Sequence, residues 1–230
     1  MGFDARRIVL RLNPSLRGRV RVGLVVAEPV SIRPAGAALA GLMRETERVM
    51  RERYAGRAPG EIEPLAAARE LYRGFGIDPT KTRPSSEALL RRVLRGRELP
   101  SIVNAVDLSN VLSVEFLLPI GLYDAARIDG EVELRAGGPG ESYAGIRKHE
   151  VHLDGRPVLV DRSGPFGNPT SDSLRTSVDG RTTSLWMTIF APPSLSGATL
   201  ARHVERARHS IALHLAAGGA PVAACGTVVD

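Results

Sequence analysis

The chain has 230 residues, 43% of them apolar and 24% charged, and 31 basic against 25 acidic side chains leave a formal net charge of +6. These proportions belong to a globular chain long enough to bury a real core, and they exclude disordered and collagen-like architectures. No apolar run reaches the roughly 20 residues of a membrane helix, Arg11 interrupts the first apolar stretch, and the single Cys225 allows neither an internal disulfide nor a cysteine-rich zinc site, so a soluble, cytoplasmic chain is expected.

The alternation at Arg19–Val22 passes into the apolar run Gly23–Val26 and predicts a strand that enters the interior and closes near Glu28-Pro29. Beyond Pro34, the residues Leu39, Leu42, Met43, Thr46, Val49 and Met50 fall on one helical stripe, with most of the charges off it. Ala58-Pro59-Gly60 breaks that helix, and a second follows from about Glu63 to Phe75. A third has Ser85 as a candidate cap, Glu87 in its first turn and Gly96 just past its end. Its outer side carries Arg91, Arg92, Arg95 and Arg97, which either complement the helix dipole or contact phosphate. Residues Val103 to Leu118 form a fourth helical stretch, stopped by Pro119. Short strands are expected at Ile120–Tyr123, Glu131–Arg135, Pro157–Val160 and Thr183–Phe190, with a hairpin turn at Asp179-Gly180. A last helix spans about Ser196 to Ala216, with the stripe Leu200, Val204, Ala207, Ile211 and Leu215.

This order predicts an α+β fold, a mixed sheet of short strands packed with helices. It is read as a single domain: an N-terminal strand and helix extension over 1–60, a core over 61–217 and a tail over 218–230. Residues 1–100 hold 20 basic and 11 acidic side chains, whereas 101–230 hold 11 and 14. A basic half beside a mildly acidic one fits a polyanion-facing surface, although 29 of the 31 basic residues are arginine and a GC-rich genome produces the same bias.

The chain has no G-x-S-x-G elbow, Walker loop or dinucleotide fingerprint. His149 and His152 are three apart in a segment that reads as strand or loop, so they do not share a face and no metal is expected there. No cofactor is expected. Two polar segments stand out. Ser101–Asn110 sets Asn104, Asp107, Ser109 and Asn110 in an apolar stretch, where buried polar groups must form a network or line a pocket. Gly164–Thr176 is a stiff loop that delivers Ser171, Asp172, Ser173, Arg175 and Thr176 just ahead of a strand.

These segments resemble the B3/B4 domain of the phenylalanyl-tRNA synthetase beta chain. The resemblance is carried by Pro100-Ser101-Ile102, Asn104-Ala105-Val106-Asp107-Leu108-Ser109-Asn110, Glu115, Pro119, Tyr123-Asp124, Ile128-Asp129-Gly130, Arg135 and Gly140-Glu141. The family pattern is roughly S-I-N-x-V-V-D-x-T-N, then E, P and H-x-F-D, a strand ending in Arg, and G-E. It implies a B3/B4-like fold with a pocket between two halves that takes an aminoacyl-adenosine end, and an editing activity that hydrolyses mischarged aminoacyl-tRNA. Ser109 and Asn110 match the family's Thr-Asn and are the implied catalytic residues. Asn104, Asp107, Tyr123, Glu141, Asp172, Ser173, Arg175 and Thr176 are the candidate substrate contacts, and Arg91, Arg92 and Arg95 the candidate RNA-phosphate contacts. The family's histidine falls on Gly121, its later glutamate has no counterpart near Thr183–Thr188, and no general base stands out. The class II synthetase motifs have no counterpart, so the chain is not a complete phenylalanine-tRNA ligase. The expected partner is tRNA or aminoacyl-tRNA, with a non-catalytic RNA- or partner-binding module, or an amino-acid-derivative binding protein, as alternatives.

Overall fold

The computed structural model describes residues 9–58, 61–63, 65–146, 150–218 and 220–230. Four strands form one sheet: β2 (Arg21–Glu28), β3 (Ile120–Asp124), β10 (Leu185–Ala191) and β11 (Ala223–Val229). Their order is β11-β2-β10-β3, and every pairing is antiparallel. A second sheet has the order β1-β4-β7-β8-β9, from β1 (Leu10–Leu12), β4 (Val132–Ala136), β7 (Pro157–Asp161), β8 (Gly164–Asn168) and β9 (Ser171–Asp172). The β1–β4 pair is parallel and the others antiparallel, and β5 (Ser142–Tyr143) and β6 (Val151–His152) form a small ribbon. The fold is α+β.

The interior run of β2 is apolar without alternation because both of its faces are buried. Val25 and Ala27 point to one face, into a core shared with α1 (Ala37–Arg53), α3 (Ser85–Leu94), α4 (Asn104–Phe116) and α5 (Gly197–His214). Val22, Leu24 and Val26 point to the other, into a core shared with the second sheet and α2 (Leu65–Gly74). Strand β10 splits in the same way, with Leu185, Met187 and Ile189 toward the helices and Trp186 and Phe190 toward the second sheet. The first sheet is therefore the middle layer of three. The stripe expected on the last helix is buried in full, and Val204 seats where a Cβ on Gly23 or Gly226 would come within 2.7 or 2.3 Å of it. Those two glycines let α5 lie close on β2 and β11.

Three local expectations are corrected. The turn at Asp179-Gly180 does not join a hairpin, because β10 takes β2 and β3 as its partners. The Asp179 carboxylate instead accepts the Arg181 N–H at 2.8 Å, which closes a local turn in a loop. Residues read as a C-terminal tail carry β11, whose small side chains fit against Val204 while seven residues pair with β2. Ser85 is the first residue of α3 and not its cap; Pro84 stands at the cap position, and its carbonyl accepts from Ala88.

Candidate functional site

A cavity of about 430 Å³ lies where α4, the end of β3 and β9 converge. Val103 at the cap of α4 and Val106 and Asn110 on the helix, at spacings of three and four, share one face with Ser109 beside them, and this face is one wall. The N-terminus of this helix is fixed by its own polar residues. Asn104 donates to the Ser31 carbonyl at 2.8 Å and accepts from the Arg33 N–H at 3.1 Å, which ties α4 to the segment after β2. Asp107 accepts from the Ile102 N–H at 2.7 Å and from the Ser101 hydroxyl at 3.4 Å, which folds Ile102 over the cavity mouth. Burial pushes the Asp107 carboxyl above its ordinary range, against those two donors.

The opposite wall comes from Ile120 and Leu122 on β3 and from Ser177, Val178 and Asp179 in the loop between β9 and β10. Asp172 of β9 reaches the same cavity and accepts from the Leu122 N–H at 3.3 Å, so it sits where the two sheets meet. The two cavity carboxylates differ in environment. Burial pushes the Asp172 carboxyl up to about 7, only partly opposed by Tyr123 and the Leu122 N–H. Asp179 is held well below the usual carboxylate range by the Arg181 N–H and by the Arg127 and Arg181 guanidiniums. At neutral pH Asp179 is a fixed anion, and Asp172 is a group that can take or give a proton.

Of the expected site residues, Ser109, Asn110 and Asp172 line this cavity together. The others are placed elsewhere. Asn104 and Asp107 are buried at the helix N-terminus. Tyr123 is fully buried behind the cavity floor. Glu141 is locked by Arg135 at 2.6 and 2.8 Å and accepts from the Gly138 N–H. Arg175 grips buried Asp161 through two bonds of 2.8 and 3.0 Å, Ser173 accepts from the Arg175 N–H, and Thr176 is fully buried. These residues shape the loop that carries Asp172. Among the arginines, Arg91 is engaged by the buried Glu87 at 2.9 Å, together with Arg69 at 2.7 Å and Arg83 at 3.7 Å. Arg92 and Arg95 are exposed, and Arg92 donates to the Glu98 carbonyl. His152 is exposed on β6, and His149 lies outside the described residues. Sequence reasoning missed Ser177, Asp179 and the apolar walls, because they come from a loop read as a hairpin turn and from strand positions indistinguishable from core.

The family model for the B3/4 domain matches residues 67–215, and the chain belongs to that family. The phenylalanine–tRNA ligase beta subunit of Chromobacterium violaceum is 26% identical over 211 residues, taking in 86% of this chain and 25% of that one. That of Streptomyces avermitilis is 33% identical over 107 residues, 46% of this chain and 12% of that one, and that of Nocardia farcinica 35% over 109 residues, 46% and 13%. The chain thus matches a quarter or less of the length of these relatives. An N-terminal fragment of the phenylalanyl-tRNA synthetase beta subunit from Pyrococcus horikoshii overlays with a TM-score of 0.45 at 14% identity, over 88% of this chain and 48% of that one. No helix among the described residues is long and apolar enough to cross a membrane.

Proposed function

We propose that the chain binds the acylated end of tRNA in the cavity beside α4 and hydrolyses mischarged aminoacyl esters in trans, in the cytoplasm. The observation that carries this reading is the meeting of Ser109, Asn110 and a proton-exchanging Asp172 on one cavity with an apolar wall. The ionised Asp172 carboxylate takes a proton from water as the water oxygen bonds to the ester carbonyl carbon. The Asn110 amide and the Ser109 hydroxyl face the charge that develops on the carbonyl oxygen. The carbon–oxygen bond to the ribose then breaks, and Asp172 returns the proton to the leaving ribose oxygen. The products are a free amino acid and deacylated tRNA. The family membership and the related ligase beta subunits support tRNA as the carrier of the ester.

Incubation with a panel of mischarged tRNAs tests this. Release of at least one amino acid above background is expected, and Asp172→Asn should lower its rate by about 10²-fold or more. No release from any member of the panel overturns the reaction. Salt-sensitive retention of tRNA without release would leave the binding module in its place.

A further inference from the structure

Behind the cavity floor lies a slot built around one tyrosine. Tyr123 is fully buried, and its ring meets Phe166 edge-on with centroids 5.1 Å apart. A Cβ on Gly121 would stand 2.2 Å from the Tyr123 hydroxyl oxygen, and a Cβ on Gly167 would also stand at 2.2 Å. The phenol therefore occupies space that exists only because its own strand β3 carries glycine at 121 and β8 carries glycine at 167. Among the described residues its hydroxyl has no hydrogen-bond partner. Gly167 pairs with Asp172 across β8 and β9, so the phenol oxygen that fills the Cβ position of Gly167 lies on the face that carries the Asp172 carboxyl, and each group perturbs the other's ionisation. A phenylalanine would fill this slot without burying an unpartnered hydroxyl, which is a cost in free energy that packing does not explain.

We propose that Tyr123 is the positioning residue of the site: its phenol, wedged between Gly121 and Gly167, sets its hydroxyl beside the Asp172 carboxyl and stabilises the charged form of that group. This rests on the assignment of Asp172 to proton transfer made above. The groups facing Asp172 are few. Strand β3 supplies the Leu122 N–H and the Tyr123 hydroxyl, β5 supplies the Tyr143 hydroxyl, which is bonded to the Ser171 carbonyl, and Arg156 acts on Tyr143 from behind. Ser109 and Asn110 face the cavity from α4, and Asp179 lines it from the loop, already neutralised by Arg127 and Arg181. Among these groups, Tyr123 is the side chain that opposes the burial of the Asp172 charge.

The test is the titration of the Asp172 carboxyl by carbon-detected NMR, assigned with Asp172→Asn, in the full chain and in Tyr123→Phe. The wild-type midpoint is expected near 7, and the variant midpoint should rise by about half a unit or more, because loss of the hydroxyl disfavours the carboxylate. The acid limb of kcat/KM should rise by the same amount with KM nearly unchanged. Gly121→Ala, which displaces the ring and keeps the hydroxyl, should also move the midpoint. An unmoved midpoint in both variants overturns the assignment of Tyr123. A midpoint that moves while no ester is cleaved overturns the hydrolytic reading and leaves the Tyr123–Asp172 pair standing.

Discussion

Gly121→Ala or Gly167→Ala drives a methyl group into the Tyr123 phenol, and neither the ring nor the strands can yield without disturbing the core. A loss of about 1–3 kcal/mol is expected for each, read from the urea midpoint. The same contact explains two departures from the family pattern together. Where the pattern has H-x-F-D, this chain has Gly121-Leu122-Tyr123-Asp124, and a side chain at 121 and a hydroxyl at 123 would claim one space. Asp172 predicts a distinctive dependence on pH. Its folded pKa stands above its unfolded one, so ionising it opposes folding. Asp172→Asn should therefore stabilise the fold, with a gain that is absent below about pH 4, grows up to about pH 7 and levels off above it; thermal melts across this range would show it. The polar cavity residues were legible in sequence because Ser109 and Asn110 interrupt an apolar stretch and Asp172 sits in a glycine- and proline-bounded loop. The part played by Tyr123 was not, since the slot joins β3 to β8 and exists only in three dimensions.

At the scale of the elements, the basic helix α3 separates into arginines that build the fold and arginines that face solvent. Glu87 is 1% exposed and joins α3 to α2 through Arg69, with Arg83 and Arg91 closing around it. Burial alone would push its carboxyl up, yet the hydrogen bonds from Arg69 and Arg91 hold it below its usual range. Glu87→Gln should cost about 3 kcal/mol in chemical denaturation, because three guanidiniums lose the anion that gathers them. Since the folded pKa is depressed, the contribution is present above the unfolded pKa and fades as pH falls through the folded one. Arg92 and Arg95 are exposed, and their joint replacement by alanine should lower the log–log salt slope of tRNA binding by about 2 while leaving the fold intact. The helix was readable from its apolar stripe and its terminal glycine. Which arginine pairs inward was not, because Arg69 and Glu87 lie on different helices.

Over the whole molecule, the helices and the class of the fold were legible because 3.6-residue periodicity survives in the sequence of a helix with one solvated face. The sheet was harder. Its central strands are buried on both faces and lose their alternation, and β11 hides in the run of small residues Ala223-Ala224-Cys225-Gly226. Removal of residues 221–230 should uncover one edge of β2 and lower the recovery of soluble protein, measured against the full chain at equal expression. The pairing order also sets a timetable. Strand β2 ends at Glu28, yet its two partners, β10 and β11, begin far along the chain at Leu185 and Ala223. At roughly 5–20 residues per second, the ribosome keeps an apolar strand waiting for roughly 10–40 s before its second edge is covered. Until β10 has been made, Val22 to Val26 are an unpaired strand on a nascent chain, and one edge of that strand stays open until β11 follows.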